Sequence, residues 1–475
     1  MKINSNLKDI KKELLRKSKH GSRFIDEKSL KEIDDFCEKY KKFLDKSKTE
    51  REAVKETLLL AQEFGFKEFD PDTKYEAGEK VYYVNKHKSI IFAVIGKNKT
   101  KNGIKIAAAH IDSPRLDLKP NPVYESNDMT LFKTHYYGGI KKYQWLAVPL
   151  AIHGKIFKKD GESIDVCIGE DESDPQFCIS DLLPHLGKDR LKKTVDEAFL
   201  GEELNLLVGS RLLIGESDQQ KESEEMGLAK LNTLKILNES YKITETDFLS
   251  AEIEIVPAFK TRDIGFDRSM IGGYGHDDRV CAYVSLMAIL TCQDVSSTVL
   301  VVLSDKEEVG SDGNTGMNSS FLKYFVEDLA KQDGVEVRHV LSKSKCFSTD
   351  VSAAFDSNFS SYYEAGNSCF LNHGVVVSKY TGFGGKSGGS DASAEFMAEV
   401  RSLFDGNNIL WQTGELGKVD AGGGGTVAKF IANLNLDVVD VGVPVLSMHS
   451  PFEVVSKIDV YSAFLATKSF FQKDV

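Results

Sequence analysis

No Cys-x-x-Cys pair occurs anywhere in this 475-residue chain, and its seven cysteines, Cys37, Cys167, Cys178, Cys281, Cys292, Cys346 and Cys369, are scattered and odd in number. That argues against a thiolate zinc ribbon and a disulfide framework, and suits buried thiols in a reducing compartment. Also missing is any run of about 18 consecutive apolar residues, the length a membrane span needs. Met1 to Lys19 is lysine-rich and polar, without the apolar stretch of a secretory signal, so a cytoplasmic location is expected. There is no excess of positive charge: 61 Lys and Arg stand against 72 Asp and Glu, a net charge of -11. Broad electrostatic capture of nucleic acid or of an anionic membrane is therefore not expected, and a small-molecule, peptide or protein partner fits better. No internal repeat of short period is visible.

A chain this long divides into two or more domains. Leu30, Ile33, Phe36, Tyr40, Phe43 and Leu44 recur at spacings of three and four, which predicts a helix burying one face. Thr49 and Glu52 form a capping-box pattern that opens a second helix, and Gly65 is placed to end it. Short β-rich runs follow at Lys80 to Val84, Ile90 to Ile95 and Lys105 to His110, the last leading into the polar turn Asp112-Ser113-Pro114. From about Leu116 to Glu254 short apolar stretches alternate with charged loops, and Gly215 to Gly227 is polar enough to be exposed or mobile; this stretch is expected to be an inserted second domain. Beyond it, Val280 to Leu290 is apolar nearly all round, as in a buried helix, and Thr298 to Leu303 is a β-branched and aliphatic run, as in a central parallel strand. An α/β sheet covered on both faces follows, with ligands expected beyond the carboxyl ends of its strands, near Ser304 to Glu308.

Hard or borderline metal ligands cluster at these strand ends and loops: His110-Ile-Asp112, His276-Asp277-Asp278-Arg279, Asp305-Lys306-Glu307-Glu308, Met448-His449-Ser450, and a further carboxylate in Ser348-Thr349-Asp350. Zinc accepts this mixture of imidazole nitrogen and carboxylate oxygen, and five such ligands hold two ions when one carboxylate bridges. Three carboxylates and a hydroxide offset the four positive charges of two zinc ions. Glu307-Glu308 is the most informative pair. Adjacent carboxylates at the end of a buried strand repel each other without a cation, and diverging side chains let one bind metal while the other serves as general base. Asp112 is placed to accept the second N–H of His110 and fix its tautomer. Taken singly each piece is ordinary: a strand histidine is usually a satisfied structural residue, a Glu-Glu pair a solvated helix face, and Asp-Asp-Arg a turn with a surface ion pair. Together they carry weight, because an uncompensated carboxylate behind a buried strand costs several kcal/mol.

Ala109-His110-Ile111-Asp112-Ser113-Pro114, Gly275-His276-Asp277-Asp278-Arg279-Val280-Cys281, Lys306-Glu307-Glu308-Val309-Gly310-Ser311, Ser348-Thr349-Asp350 and Leu446-Ser447-Met448-His449-Ser450 resemble, in matching order along most of the chain, the blocks of the aspartyl aminopeptidase and vacuolar aminopeptidase I family. The resemblance implies an α/β zinc-peptidase fold: a mixed sheet covered by helices, with an inserted β-rich dimerisation domain, and a tetrahedral dodecamer built from dimers. On that reading residues 1–115 and 261–475 form the catalytic domain and 116–260 the insertion. It also implies that Asp277 bridges two Zn2+ ions, that His110 and Asp350 complete one site and Glu308 and His449 the other, that Glu307 is the general base, and that Asp112 orients His110. Spacing alone does not choose Asp277 over Asp278; the resemblance does, leaving Asp278 and Arg279 structural. His185, in Leu183-Pro184-His185-Leu186, resembles a histidine that reaches a neighbouring subunit's active site to stabilise the developing oxyanion.

One departure concerns specificity: eukaryotic aspartyl members carry further histidines after the aspartate matching Asp350, where this chain has Ala353 and Asp356. Gly385-Lys386-Ser387 ends like a phosphate-binding loop, but Tyr380 stands where that pattern needs glycine, so ATP binding is not expected. Gly422 to Gly425 reads as a tight packing turn first and a contact to the substrate backbone second. Lys379 and Lys386 are read as solvated, with a contact to an acidic substrate side chain as the sharper alternative. The expected function is release of the N-terminal residue from peptides with a free amine. The alternatives are a carboxypeptidase or amidohydrolase of the same zinc class, and a catalytically silent assembly or cargo scaffold. Cobalt or manganese suits the same ligand atoms as zinc.

Overall fold

The computed structural model of the chain describes residues 7–16, 19–98, 100–214 and 227–473. The polar stretch expected to be exposed at Gly215 to Gly227 lies outside the described residues except for Gly227 itself. Two helices open the main body. In Glu27–Lys46 the Asp26 side chain accepts from the Ser29 N–H, and Ile33, Cys37, Tyr40, Phe43 and Leu44 form the buried face. Leu30, expected on that face, is 49% exposed because the helix meets the core only from its second turn onward. Glu50–Glu63 opens on the anticipated Thr49–Glu52 capping box. Gly65 follows with φ +83, a conformation that costs a glycine little.

Among the described residues the central sheet has nine strands. Four lie side by side and parallel: Val299–Ser304, Lys105–His110, Lys345–Ser348 and Asp437–Gly442. Alternate residues of each strand point to opposite faces. Ala107, Ala109, Val301, Leu303, Phe347 and Val439 pack with the helices Glu27–Lys46, His276–Leu290 and Lys457–Gln472. Ile106, Ala108, Leu300, Val302, Cys346 and Val438 pack with Phe321–Gln332 and with the short helices Val337–Leu341 and Ala428–Ala432. Burial on both faces explains the unbroken apolar runs in the sequence. The strand expected to be central and parallel, Val299–Ser304, is parallel to Lys105–His110 but antiparallel to Ser89–Val94 on its other edge, so the sheet is mixed.

A six-stranded antiparallel sheet is built from Arg115–Ser126, Met129–Tyr137, Leu150–Phe157, Ser163–Ile168, Leu206–Gly209 and Ala251–Pro257. It carries its own core around Trp145, Leu150, Ile152, Leu206 and Ile255. A five-stranded sheet brings Ser352–Ala353, Pro444–Leu446 and Glu453–Ser456 beside the central one. Among the described residues no helix is long and apolar enough to cross a membrane.

Candidate metal centre

Parallel strands that end together deliver their next residues to one place. His110 is the last residue of its strand; Asp305 to Glu308 follow Ser304 on one side, and Asp350 lies two residues beyond Ser348 on the other. Asp277 arrives at the amino end of the buried helix His276–Leu290, and His449 from the turn between Pro444–Leu446 and Glu453–Ser456.

The side chains converge. His110 Nε2 lies 3.2 Å from Asp277 Oδ1, 3.8 Å from Asp350 Oδ1 and 4.0 Å from Glu307 Oε2. His449 Nε2 lies 3.2 Å from the other oxygen of Asp277, Oδ2, and 3.5 Å from Glu308 Oε2. Asp277 therefore stands between two imidazoles, one on each oxygen. The five residues expected as ligands are thus brought together with Glu307. Asp278, expected to be structural, lies beside the centre: with His110 and Asp350 it has ligand atoms within 4.8 Å of one another, as do His110, Asp277 and Glu308. Arg279 is fully buried and donates to the Lys48 carbonyl at 2.8 Å, which is a packing role.

Around these residues is a frame of hydrogen bonds. Asp112 faces His110 Nδ1 with its carbonyl at 3.0 Å and a carboxylate oxygen at 3.3 Å. Its two carboxylate oxygens also accept the backbone N–H groups of Glu307, at 3.1 Å, and Glu308, at 3.2 Å. Glu453, which the sequence did not single out, accepts from the backbone N–H of Asp277 at 3.0 Å and of His449 at 2.7 Å. No local signal marked it, since Pro-Phe-Glu-Val reads as the start of an ordinary strand.

Burial sets the electrostatics. It pushes the Glu307 carboxyl up to about 8; His110 opposes this, while Asp350, Asp112 and Asp277 add to it. Glu308 is raised well above the usual range by burial and by Asp277, and Asp350 is raised by burial against the pull of His110. For Asp277 burial also pushes upward, but the His110 and His449 imidazoles outweigh it and hold the group low. Carboxyls held up in this way are short of positive charge even with the His110 and His449 imidazoles beside them, and a bound cation would release their protons. Among the described residues His110 Nε2, Glu308 Oε1 and both oxygens of Asp278 are buried without a hydrogen-bond partner. Orphaned nitrogen and oxygen atoms facing one another fit bound zinc, whose preferred donors they are.

Asp277, Glu307, Asp350 and His449 form the floor of an open cleft of about 270 Å³. Its walls include Tyr380, Lys386, Glu415 and Gly422–Gly425. Gly423 pairs with Phe383, and a side-chain carbon there would come within 2.5 Å of the Gly382 carbonyl, so this glycine run is a close-packed turn that also borders the cleft. Lys386 is held by Asp391 at 3.1 Å and lies over the Tyr380 ring, while Lys379 is exposed. His185 is exposed and is not brought to the cleft of its own chain.

Imidazoles and carboxylates gathered at the carboxyl ends of parallel strands, on the floor of an open cleft, are the donor set of a metal-dependent hydrolytic enzyme. Residues 43–471 match the family described as Aminopeptidase I zinc metalloprotease (M18), and the chain belongs to that family. It is 47% identical over 467 residues to a probable M18 family aminopeptidase 1 of Clostridium acetobutylicum, covering 95% of this chain and 99% of that one. The crystal structure of an M18-family aminopeptidase from Thermotoga maritima superposes with a TM-score of 0.90 at 43% identity, over 97% of this chain and 100% of the other. A structure described as the mApe1 dodecamer of S. cerevisiae shares the fold, with a TM-score of 0.73 at 19% identity over 93% of this chain and 97% of that one. The α/β fold and the zinc-dependent peptidase class expected from the sequence are those of this family.

Proposed function

We propose that the chain removes single residues from the free N-terminus of peptides at a centre of two zinc ions, with Glu307 as general base. The observation that carries this reading is Asp277, whose two oxygens each lie 3.2 Å from a different imidazole, as a bridging carboxylate requires. His110 and Asp350 would complete one site, and Glu308 and His449 the other. Zinc bound there supplies Lewis acidity to the scissile carbonyl and lowers the pKa of the attacking water.

Glu307 faces the cleft beside His110, where a carboxylate is placed to accept a proton. It takes the proton from the attacking water and returns it to the leaving nitrogen. Asp112 holds the Glu307 backbone and the His110 ring in register for that exchange. The open cleft receives the peptide end, whose free amine is held against the carboxylates of the floor. His185, exposed on its own chain, acts in the cleft of a neighbouring copy.

Residues 116–260 serve as a dimerisation domain and dimers assemble into a tetrahedral dodecamer. Support comes from the separate core of the six-stranded sheet and from the dodecamer formed by the yeast relative of the same fold. All seven cysteines are free, which suits a cytoplasmic enzyme.

The test pairs elemental analysis with release of N-terminal residues from free and N-acetylated peptides. Two zinc per chain with cleavage of free N-termini only is the expected result, and cobalt or manganese should substitute. Glu307→Gln should keep both metals and lose about 100-fold or more in kcat. Cleavage of N-acetylated peptides would instead indicate a carboxypeptidase or amidohydrolase. No metal uptake and no hydrolysis would leave a scaffold.

A further inference from the structure

Tyr137 is the last residue of the strand Met129–Tyr137 in the six-stranded sheet, directly paired with Arg115. Its hydroxyl leaves that sheet and donates to Asp112 Oδ2 at 2.8 Å. The Arg115 guanidinium lies 3.9 Å over the Tyr137 ring and is itself anchored by Asp117 at 2.8 Å and Glu254 at 3.2 Å, so the phenol is clamped from the side of the sheet. Two residues on, the Gly139 carbonyl accepts from His449 Nδ1 at 3.2 Å. Between them, a side-chain carbon on Gly138 would come within 3.3 Å of Glu308.

These contacts share one consequence. An imidazole that donates from Nδ1 presents its lone pair at Nε2, and in both His110 and His449 it is Nε2 that faces Asp277. Gly139 fixes this tautomer in His449 directly. For His110 the Nδ1 hydrogen bond goes to the Asp112 carbonyl; Tyr137 acts on the carboxylate of the same residue, which lies 3.3 Å from Nδ1 and also holds the Glu307 and Glu308 backbone.

We infer that Tyr137 and Gly139 are positioning residues for the two halves of the metal centre, so that the end of the strand Met129–Tyr137 and the turn after it tune the zinc affinity and turnover of a site whose ligands lie on other elements. This rests on the two-zinc reading above.

The experiment uses full-length protein, stripped of metal and titrated with zinc against a chelating dye, together with kcat and KM on the best-cleaved free peptide and melting of the metal-free protein. Tyr137→Phe removes only the donated hydroxyl. Gly139→Ala places a methyl group 3.2 Å from His449 Nδ1 and displaces the ring without imposing a positive φ. Each variant should weaken one zinc equivalent by about 10- to 100-fold and lower kcat, with KM and the metal-free melting temperature unchanged. Tyr136→Phe, on the exposed side of the same strand, should match the unaltered protein. Unaltered zinc affinity and kcat in both variants would overturn the inference and leave the two-zinc reading standing. A fall in metal-free melting that accounts for the activity loss would overturn it as well, as mere packing. Failure of the unaltered protein to bind zinc would defeat both readings.

Discussion

Burial raises the carboxyls of Glu307, Glu453 and Asp459 to about 8 and those of Asp305 and Asp440 to about 7, so the folded chain keeps protons that the unfolded chain has released. Stability from such groups is complete below the ordinary carboxylate range and is lost as pH rises through the folded values. His276 opposes them: burial lowers it to about 3, so below its ordinary value of 6.5 only the unfolded chain takes up that proton. The raised carboxyls, joined by His449 and His153, raised to about 10 and about 11, outweigh the two lowered histidines, His276 and His20, and the metal-free protein should melt at progressively lower temperature between about pH 5 and pH 8. With zinc present the carboxyls of the centre exchange protons for cations, and the slope should flatten. Calorimetry of stripped and loaded protein at constant ionic strength checks this; a melting temperature that rises with pH in the stripped protein would refute it. At this scale the sequence marked His110, Glu307, Glu308, Asp350, His449 and the pair Asp277-Asp278 because each is a ligand type at a strand end or in a loop, and only the family resemblance chose Asp277 within the pair. It did not mark Glu453 or Tyr137, whose parts depend on hydrogen bonds across 176 and 25 residues of chain.

Elements position those residues by close approach. Gly442 ends the strand Asp437–Gly442, and a side-chain carbon there would stand 1.5 Å from the Asp350 carbonyl oxygen. Gly442→Ala must therefore push the Ser348 to Asp350 segment away, carrying Asp350 from His110. The expected outcome is loss of one zinc equivalent with helix and strand content retained, read by elemental analysis and circular dichroism; two tightly held zinc ions in the variant would contradict it. Helices and central strands were the most legible elements. The Thr49–Glu52 box, the apolar helix from Val280 and the aliphatic strand from Val299 are local patterns that the core then uses as they stand. Pairing direction was not legible, since an aliphatic strand buried on both faces reads the same whether its neighbour runs parallel, as Lys105–His110 does, or antiparallel, as Ser89–Val94 does.

For the whole molecule the informative surface lies between Leu182 and Leu200. Leu182, Leu183, Leu186, Leu191, Val195 and Leu200 are 44 to 72% exposed within this short stretch, which also carries His185. Single exposed apolar residues are common, but a run of six large ones is costly in water unless another surface covers it. In the proposed assembly the covering surface is a second copy, and burying the run would carry His185 towards that copy's cleft. Leu183→Asp combined with Leu186→Asp should then shift the protein to smaller species in light scattering, because a carboxylate buried in an interface costs more than the contact returns. Neither Leu183 nor Leu186 lines the cleft, so zinc content should stay at the unaltered value. Activity should nevertheless fall, and His185→Ala in the intact assembly should lower kcat without changing its size. Equal size and equal activity in the double variant would show that this surface faces solvent and that His185 has no part in the reaction.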